Sequence, residues 1–483
     1  MLTRLLRGWS KRSSTSSLDT LIGPGPSRRA TRRLSLGRGR ATSWLRTGSL
    51  LVVAASQLTV AGGVSGVVGS AAARMALAEN WGQWRGAKLD GISSEKSVPT
   101  KWDKQQGVLW RLALPGAAGA SPVVWGDKVF VTSTAGQDLV LIAASTKGEE
   151  LWRKTIGSGN KDVRGDEGNS ASPSPCTDGE HVWAMMANGE LACFTVDGKE
   201  VWNVNLQARY GKFNIAFGMT ASPVLDGERL YLQLIHGEGN PTTREAVVVA
   251  LDKKTGREIW KQNRDSDARD ECEHSYASPV IYRDESREYL LTHGADFVIA
   301  HRLSDGRELW RCGDLNPKGR YNNTLRFVAS PVAVPGMIVV PSAKNGPVFA
   351  IKPDVQGDIT EKADAFFWKR PSGTPDVPSP LVHEGLVYLC RENGNLVVVE
   401  AKSGEQIYEQ RTVADRHRAS PVLAGGNLYL TARRGIVTVV KAGRQFEIVA
   451  QNDLGEEISA SPAVAGGRIY LRTFNALYAI GSK

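Results

Sequence analysis

Cysteine is scarce in this 483-residue chain: five residues, Cys176, Cys193, Cys272, Cys312 and Cys390, with no two adjacent and no Cys-x-x-Cys. An odd count at irregular spacing is neither a disulfide framework nor a cysteine zinc site. Most of the five fall in apolar strand patterns, where cysteine acts as a small hydrophobe. Histidine is equally sparse, with seven residues and none in a motif. No Ser/His/Asp set, phosphate-cradling glycine loop or pair of catalytic carboxylates can be named from spacing, so general acid–base chemistry has little support. The densest group of ligand-type residues is Asp270-Glu271-Cys272-Glu273-His274. Its oxygens suit calcium and its imidazole suits zinc. Five consecutive residues do not all point one way, however, and no second cluster completes a shell. The stretch reads as a solvated acidic loop, and no metal is expected.

A basic excess is also missing where it would matter. The chain has 60 basic and 50 acidic residues, but twelve of the former and only Asp19 of the latter lie in residues 1–78, leaving 48 against 49 beyond. The charge therefore belongs to the leader, and nucleic acid is excluded as a partner. Residues 47–73 carry no charge and are rich in Val, Ala and Leu, and Ala76-Leu77-Ala78 supplies the small residues a signal peptidase reads. Residues 1–78 are thus expected to be an export signal cleaved after Ala78. An uncleaved anchor is the alternative, with 47–73 associating with the membrane. Thr31-Arg32-Arg33-Leu34-Ser35-Leu36 faintly resembles a twin-arginine signal. The expected location is the periplasm or the outer face of the inner membrane.

What the chain has in abundance is one repeat. Ser-Pro opens an apolar strand at Ser121, Ser174, Ser222, Ser278, Ser330, Ser379, Ser420 and Ser461. Self-similarity at roughly 40–56 residues, with several short strands per unit, is the signature of a β-propeller. In the fourth unit, 278–283, 288–292, 297–303 and 307–311 alternate branched or aromatic with polar residues between Gly and Asp turns, which predicts four antiparallel strands. A large residue recurs on each outer strand: Trp110, Trp152, Trp202, Trp260, Trp310, Trp368 and Tyr408, with a worn copy near Phe446. These are expected to fill the wedges between blades. After the eighth anchor the chain offers only 476–480, while the Trp110 strand has no inner strands of its own. Strand 108–114 is therefore expected to complete the last blade and remove two exposed edges. The fold class is all-β, an eight-bladed β-propeller over 108–483, preceded by an entry segment at 79–107.

The Ala250-Leu-Asp-Lys-Lys-Thr-Gly-Arg-Glu-Ile-Trp260 turn and the Ser-Pro-Val inner strands resemble the repeat of the pyrroloquinoline-quinone (PQQ) propellers over roughly 81–483. That superfamily holds the quinoprotein alcohol dehydrogenases and the BamB-like barrel-assembly factors, and the entry segment Trp81-Gly-Gln-Trp-Arg-Gly86 is similar to that of exported bacterial propellers. In the dehydrogenases the resemblance implies PQQ and calcium held by a glutamate, an asparagine and an aspartate, beside a disulfide between adjacent cysteines. This chain has no such cysteines, and no residue can be assigned to the acidic set. The BamB-like branch fits length and blade number, without a lipid-attachment cysteine. A non-catalytic binding or assembly scaffold with an envelope protein partner is therefore expected, without a cofactor. The alternative is a PQQ- and calcium-dependent oxidoreductase.

Strand alternation sorts the loops onto two faces. The longest and most polar connections include 157–173, 235–245, 262–277 and 312–329 on one face, which reads as a binding surface, while the opposite face has mostly short turns, the 352–365 insertion being the exception. Residues just before the Ser-Pro anchors should ring the channel mouth: Asn169, His274, Tyr276, Arg326, Arg416, His417 and Arg418, with Met219, Thr220, Phe327 and Asp376. The basic sector suits an anionic ligand or an acidic peptide, or else it neutralises neighbouring acids such as Asp415.

Overall fold

Each Ser-Pro dipeptide sits just ahead of a short inner strand, and the computed structural model shows why. It describes residues 79–163, 168–237 and 246–482. The readings of 1–78 as export signal or anchor, and part of the long-loop readings, lie outside these residues. In the fourth unit the inner strand begins at Val280, two residues later than the pattern suggests. Pro279 has no N–H for a ladder, and the N–H of Ser278 is used elsewhere. It donates to Ser330 Oγ of the next blade at 2.8 Å.

The same bond recurs all the way round. Ser121 donates to Ser174, Ser174 to Ser222, Ser222 to Ser278, Ser278 to Ser330, Ser330 to Ser379, Ser379 to Ser420, Ser420 to Ser461, and Ser461 back to Ser121, at 2.8–3.0 Å. The repeat is thus a closed collar of backbone-to-hydroxyl bonds. Replacing one member leaves a buried N–H without an acceptor, which costs about 1–3 kcal/mol. Ser330→Ala is expected to lose that much in urea unfolding, whereas Ser403→Ala on an exposed turn should lose under about 0.5 kcal/mol.

Around the collar stand eight sheets. Seven are built in chain order, beginning with Val123–Trp125, Lys128–Ala135, Asp138–Ser145 and Glu150–Ser158 in blade 1. The eighth takes its inner three strands, Ala463–Ala465, Arg468–Arg472 and Ala476–Ile480, from the end of the chain and its outer strand, Val108–Ala113, from the start. The outer pair is antiparallel, with Trp110 opposite Ala479 and Ala113 opposite Ala476. The buried Arg472 guanidinium reinforces the seam by donating to Ala118 O at 2.6 Å and to Gly116 O and Thr132 O at 3.2 Å. Blade 4 has a fifth strand. Gly357–Asp358 of the 352–365 insertion pairs in parallel with Glu308–Cys312. A Gly-Asp pair carries no strand propensity, so the sequence gives no sign of it.

The tryptophans and the turn glycines are two halves of one contact. The Trp110 N–H donates to Thr146 O of blade 1 at 2.9 Å, and a Cβ on Gly148 would stand 2.6 Å from the Trp110 ring. The lock repeats between Trp260 and Gly306 and between Trp368 and Gly404, where a Cβ on the glycine would approach the indole to 2.5 and 2.6 Å. Trp152, Trp202, Trp260 and Trp368 likewise donate to carbonyls of the following blade. Trp310 packs edge-on against Tyr289 and Tyr408 against Phe446. Glycine and tryptophan therefore recur together because, at five of the eight blade junctions, one blade's missing side chain makes room for its neighbour's indole. Among the described residues no helix is long and apolar enough to cross a membrane.

Candidate functional site

The inner strands leave one edge facing the axis, and the entry segment satisfies much of it. Trp81 exchanges two backbone hydrogen bonds with Val124 of blade 1, and Thr177 N donates to Gly82 O in blade 2. Leu225 N of blade 3 donates to Gln83 Oε1 at 3.1 Å. Leu423 of blade 7 bonds Gly91 O and Ser93 N, and Gly466 N of blade 8 reaches Glu95 Oε1. Arg85 is 1% exposed and donates to Pro380 O at 2.6 Å, Asp90 O at 2.7 Å, and Ser379 O and Leu89 O at 3.3 Å. Residues 79–97 thus fill the channel at the end where the inner strands finish.

Above this floor a cavity of about 410 Å³ opens on the Ser-Pro side. Trp84 lines its base and all eight collar serines line its wall. Each serine hydroxyl accepts a backbone N–H through a lone pair and keeps its own proton to donate. Higher up, Arg326 stacks over Phe217 at 4.5 Å and pairs with Glu271 at 2.6 Å. Phe217 meets Tyr276 edge-on, with ring centres 5.9 Å apart. Across the mouth, Glu392 faces Arg416 Nε at 3.4 Å and Arg418 Nη2 at 3.7 Å. Burial, and next the Asp376 carboxylate, push the Glu392 carboxyl up against the pull of Arg416. A second depression of about 440 Å³ shares Asp376, Glu392 and Arg416 and continues past Arg391 and Asn393. The rim is uneven. Connections 159–175, 206–223, 264–279 and 313–331 are long, whereas 371–380, 412–421, 454–462 and 114–122 are short. The shelf at Arg391 lies on the low side.

Of the residues expected at the mouth, Asn169, Tyr276, Arg326, Arg416 and Arg418 line this one cavity, together with Thr220 and Asp376. Asn169 is committed to the wall, donating to Ala117 O at 2.7 Å and accepting from Ala171 N at 3.0 Å. His274 and His417 do not line the cavity. His417 is fully buried because its backbone bridges to Ala432, and its Nδ1 sits 3.1 Å from Asp415 O. His274 turns to Gly237 O. Met219 and Phe327 are fully buried in the blade cores. Trp84, Phe217, Glu392 and Phe474 line the cavity without having been expected there. Phe217 and Phe474 carry no signal beyond their apolarity. Glu392 sits in a Glu-Asn-Gly turn, a position that alternation places on the same face.

The acidic stretch at 270–274 disperses as a one-turn helix, Asp270–Glu273. Glu271 goes to Arg326 and the Cys272 thiol to Asn322 O. Among the described residues no three His, Cys, Asp or Glu side chains converge on a metal position.

A closed ring of eight blades around a channel stopped at one end defines the class: an eight-bladed β-propeller with a one-ended central chamber. The profile of the family described as outer membrane protein assembly factor BamB matches residues 93–233, 139–358, 187–448 and 351–482, and the chain belongs to this family of PQQ-like repeat propellers. No curated protein matches it in sequence. Among solved structures it is similar to BamB from Moraxella catarrhalis, at 14% identity and a TM-score of 0.56 over 78% of this chain and 97% of that one. It is also similar to a europium-containing methanol dehydrogenase, at 12% identity and a TM-score of 0.63 over 84% and 98%. A quinohemoprotein alcohol dehydrogenase from Comamonas testosteroni gives 12% identity and a TM-score of 0.60 over 84% and 81%. At these identities the likeness is one of fold.

Proposed function

We propose that the chain is an exported, non-catalytic propeller that works as a binding or assembly scaffold in the cell envelope, holding a protein partner on its loop-rich face. The observation that carries this reading is the union of chamber mouth and long connections on one face, with mouth chemistry made of arginine–carboxylate pairs. Such pairs recognise and orient, and groups held this way are poorly suited to moving protons. Membership of a family described as an outer membrane assembly factor supports the envelope location, and the leader-like composition of residues 1–78 supports export.

The residues at the chamber do not fit a calcium-bound quinone. Glu392, a half-buried carboxyl lining the chamber, is engaged by two guanidinium groups, which disfavour a cation beside it. The five cysteines are buried and apart, with every thiol pushed up by burial. We therefore read the protein as working without PQQ or calcium.

The test is site-directed photocrosslinking in cells, from Lys318 on the loop-rich face and from Lys254 on the opposite face. One discrete envelope-protein adduct confined to position 318 is the expected result. Adducts of equal strength from both positions, or saturable binding of PQQ and calcium with alcohol-dependent dye reduction, would overturn the reading.

A further inference from the structure

Charge balance decides what the chamber can take. Arg326 faces Glu271, Arg416 and Arg418 face Glu392 with Asp376 beside it, and Asp162 also lines the cavity, so three guanidinium groups meet four carboxyls. An entering anion would compete with carboxylates already in place and lie close to them. A neutral molecule rich in hydroxyls avoids that conflict. Each hydroxyl both donates and accepts, so a guanidinium and its partner carboxylate can flank two neighbouring hydroxyls, donating to one and accepting from the other.

The rest of the cavity has the same character. The collar adds eight hydroxyl donors at mid-depth, and Trp84 offers an aromatic surface at the base. The C–H face of a pyranose ring packs on such a surface while its rim of hydroxyls meets the polar wall. A volume of about 410 Å³ falls within the range of small-molecule sites, roughly 300–1,000 Å³. The adjoining depression shares Asp376, Glu392 and Arg416 and runs out over the low side of the rim, so a ligand longer than the chamber is deep has a polar path to solvent.

We infer that the chamber is a binding site for a neutral saccharide chain, with its terminal ring lowered past the serine collar to Trp84 and the following sugars leaving over the shelf at Asn393. The inference shares the chamber mouth with the protein-docking reading above, but its test reads saccharide binding by the protein alone, so it can fail while the crosslinking result stands, and the reverse.

The experiment titrates the protein with maltotriose, cellotriose and fully N-acetylated chitotriose, and with citrate and benzoate as carboxylate probes, by calorimetry and tryptophan fluorescence. At least one neutral trisaccharide should saturate while neither carboxylate does. Trp84→Ala and Arg416→Gln should each weaken binding by about tenfold or more, the effect of losing one well-placed contact. Trp84→Phe, which keeps an aromatic surface on an intact floor, should weaken it by less than about threefold. Arg416 has a side chain 44% exposed, so its variant tests the site without the fold. Saturation by citrate or benzoate alone would overturn the inference. So would trisaccharide affinity unchanged in both Trp84→Ala and Arg416→Gln, or no binding of any of the three trisaccharides.

Discussion

Arg85→Met is expected to cost about 3–5 kcal/mol in urea unfolding, the range for removing one partner from a buried charged network. The guanidinium is fully enclosed, and its acceptors are four backbone carbonyls, two of them in blade 6 at Ser379 and Pro380. Burial pushes its pKa down to about 10, partly opposed by Asp90, so it stays charged at neutral pH. Its removal leaves carbonyls with no donor inside the channel, where a thioether cannot replace them. Arg85→Lys should recover only part of the loss, because a point charge cannot reach across the entry segment and blade 6 as the planar fork does. Hydrogen exchange localises the effect. The amides of Trp81, Val124, Ser93 and Leu423 are mutually bonded between floor and blades, and they should lose protection first, ahead of the blade interiors. A loss below about 1 kcal/mol, or exchange that quickens uniformly, would show that the floor is not held by this residue.

The fold was legible in the sequence because its repeating residues are those that touch between blades. Ser-Pro answers a contact made once per blade, the turn glycine and outer-strand tryptophan one made at five of the eight junctions, and repetition exposes both. The floor is different. Trp81, Gln83 and Arg85 occur once, their partners are distant in sequence, and a segment that pairs with strand edges one residue at a time shows no periodicity. That is why 79–107 read only as an entry segment. The mouth was legible in part for a related reason. Position before a Ser-Pro anchor sets the height of a residue on the channel wall, and Tyr276, Arg326, Arg416 and Arg418 lie beside the cavity. Height does not set direction: the chain at His417 turns inward to bridge Ala432, and the turn at Asp270–Glu273 aims His274 at Gly237. Phe474 and Glu392 enter from turns within blades, which anchor counting does not reach.

Stability is expected to fall steeply between pH 6.5 and pH 4.5, because three imidazoles are buried in neutral form. His301 is held at both nitrogens, with Nδ1 3.0 Å from Gly306 O and Nε2 2.9 Å from Thr292 Oγ1. Since a carbonyl can only accept, Nδ1 carries the proton and Nε2 takes the Thr292 hydroxyl. Burial, reinforced by the Arg264 charge, pushes His301 down to about 4 and His293 to about 3. Burial and then His274 push His236 to about 4. Each folded value lies below the unfolded one, so below pH 6.5 the unfolded chain takes up protons that the folded chain refuses. Acid therefore favours unfolding, by about 1.4 kcal/mol per pH unit for each histidine. Asp296, which burial raises to about 6, works the other way: the folded chain binds its proton first, so it offsets roughly one of the three between pH 6 and 4. Among these four groups two protons remain uncompensated, or about 3 kcal/mol per pH unit toward the acid end of the window. Burial also lowers His274 and His417, which adds to the slope, and raises Asp90 and Glu392, which opposes it. Asp284 and Asp305, lowered to about 2, titrate below it. Urea unfolding at pH 7.5, 6.0 and 5.0 measures the slope. His301→Gln, whose amide can donate to Gly306 O and accept from Thr292, should flatten it by about one proton's worth while changing stability at pH 7.5 by less than about 1.5 kcal/mol. A wild-type profile flat from pH 7.5 to 5.0 would mean that these imidazoles reach solvent or find a counter-charge when protonated.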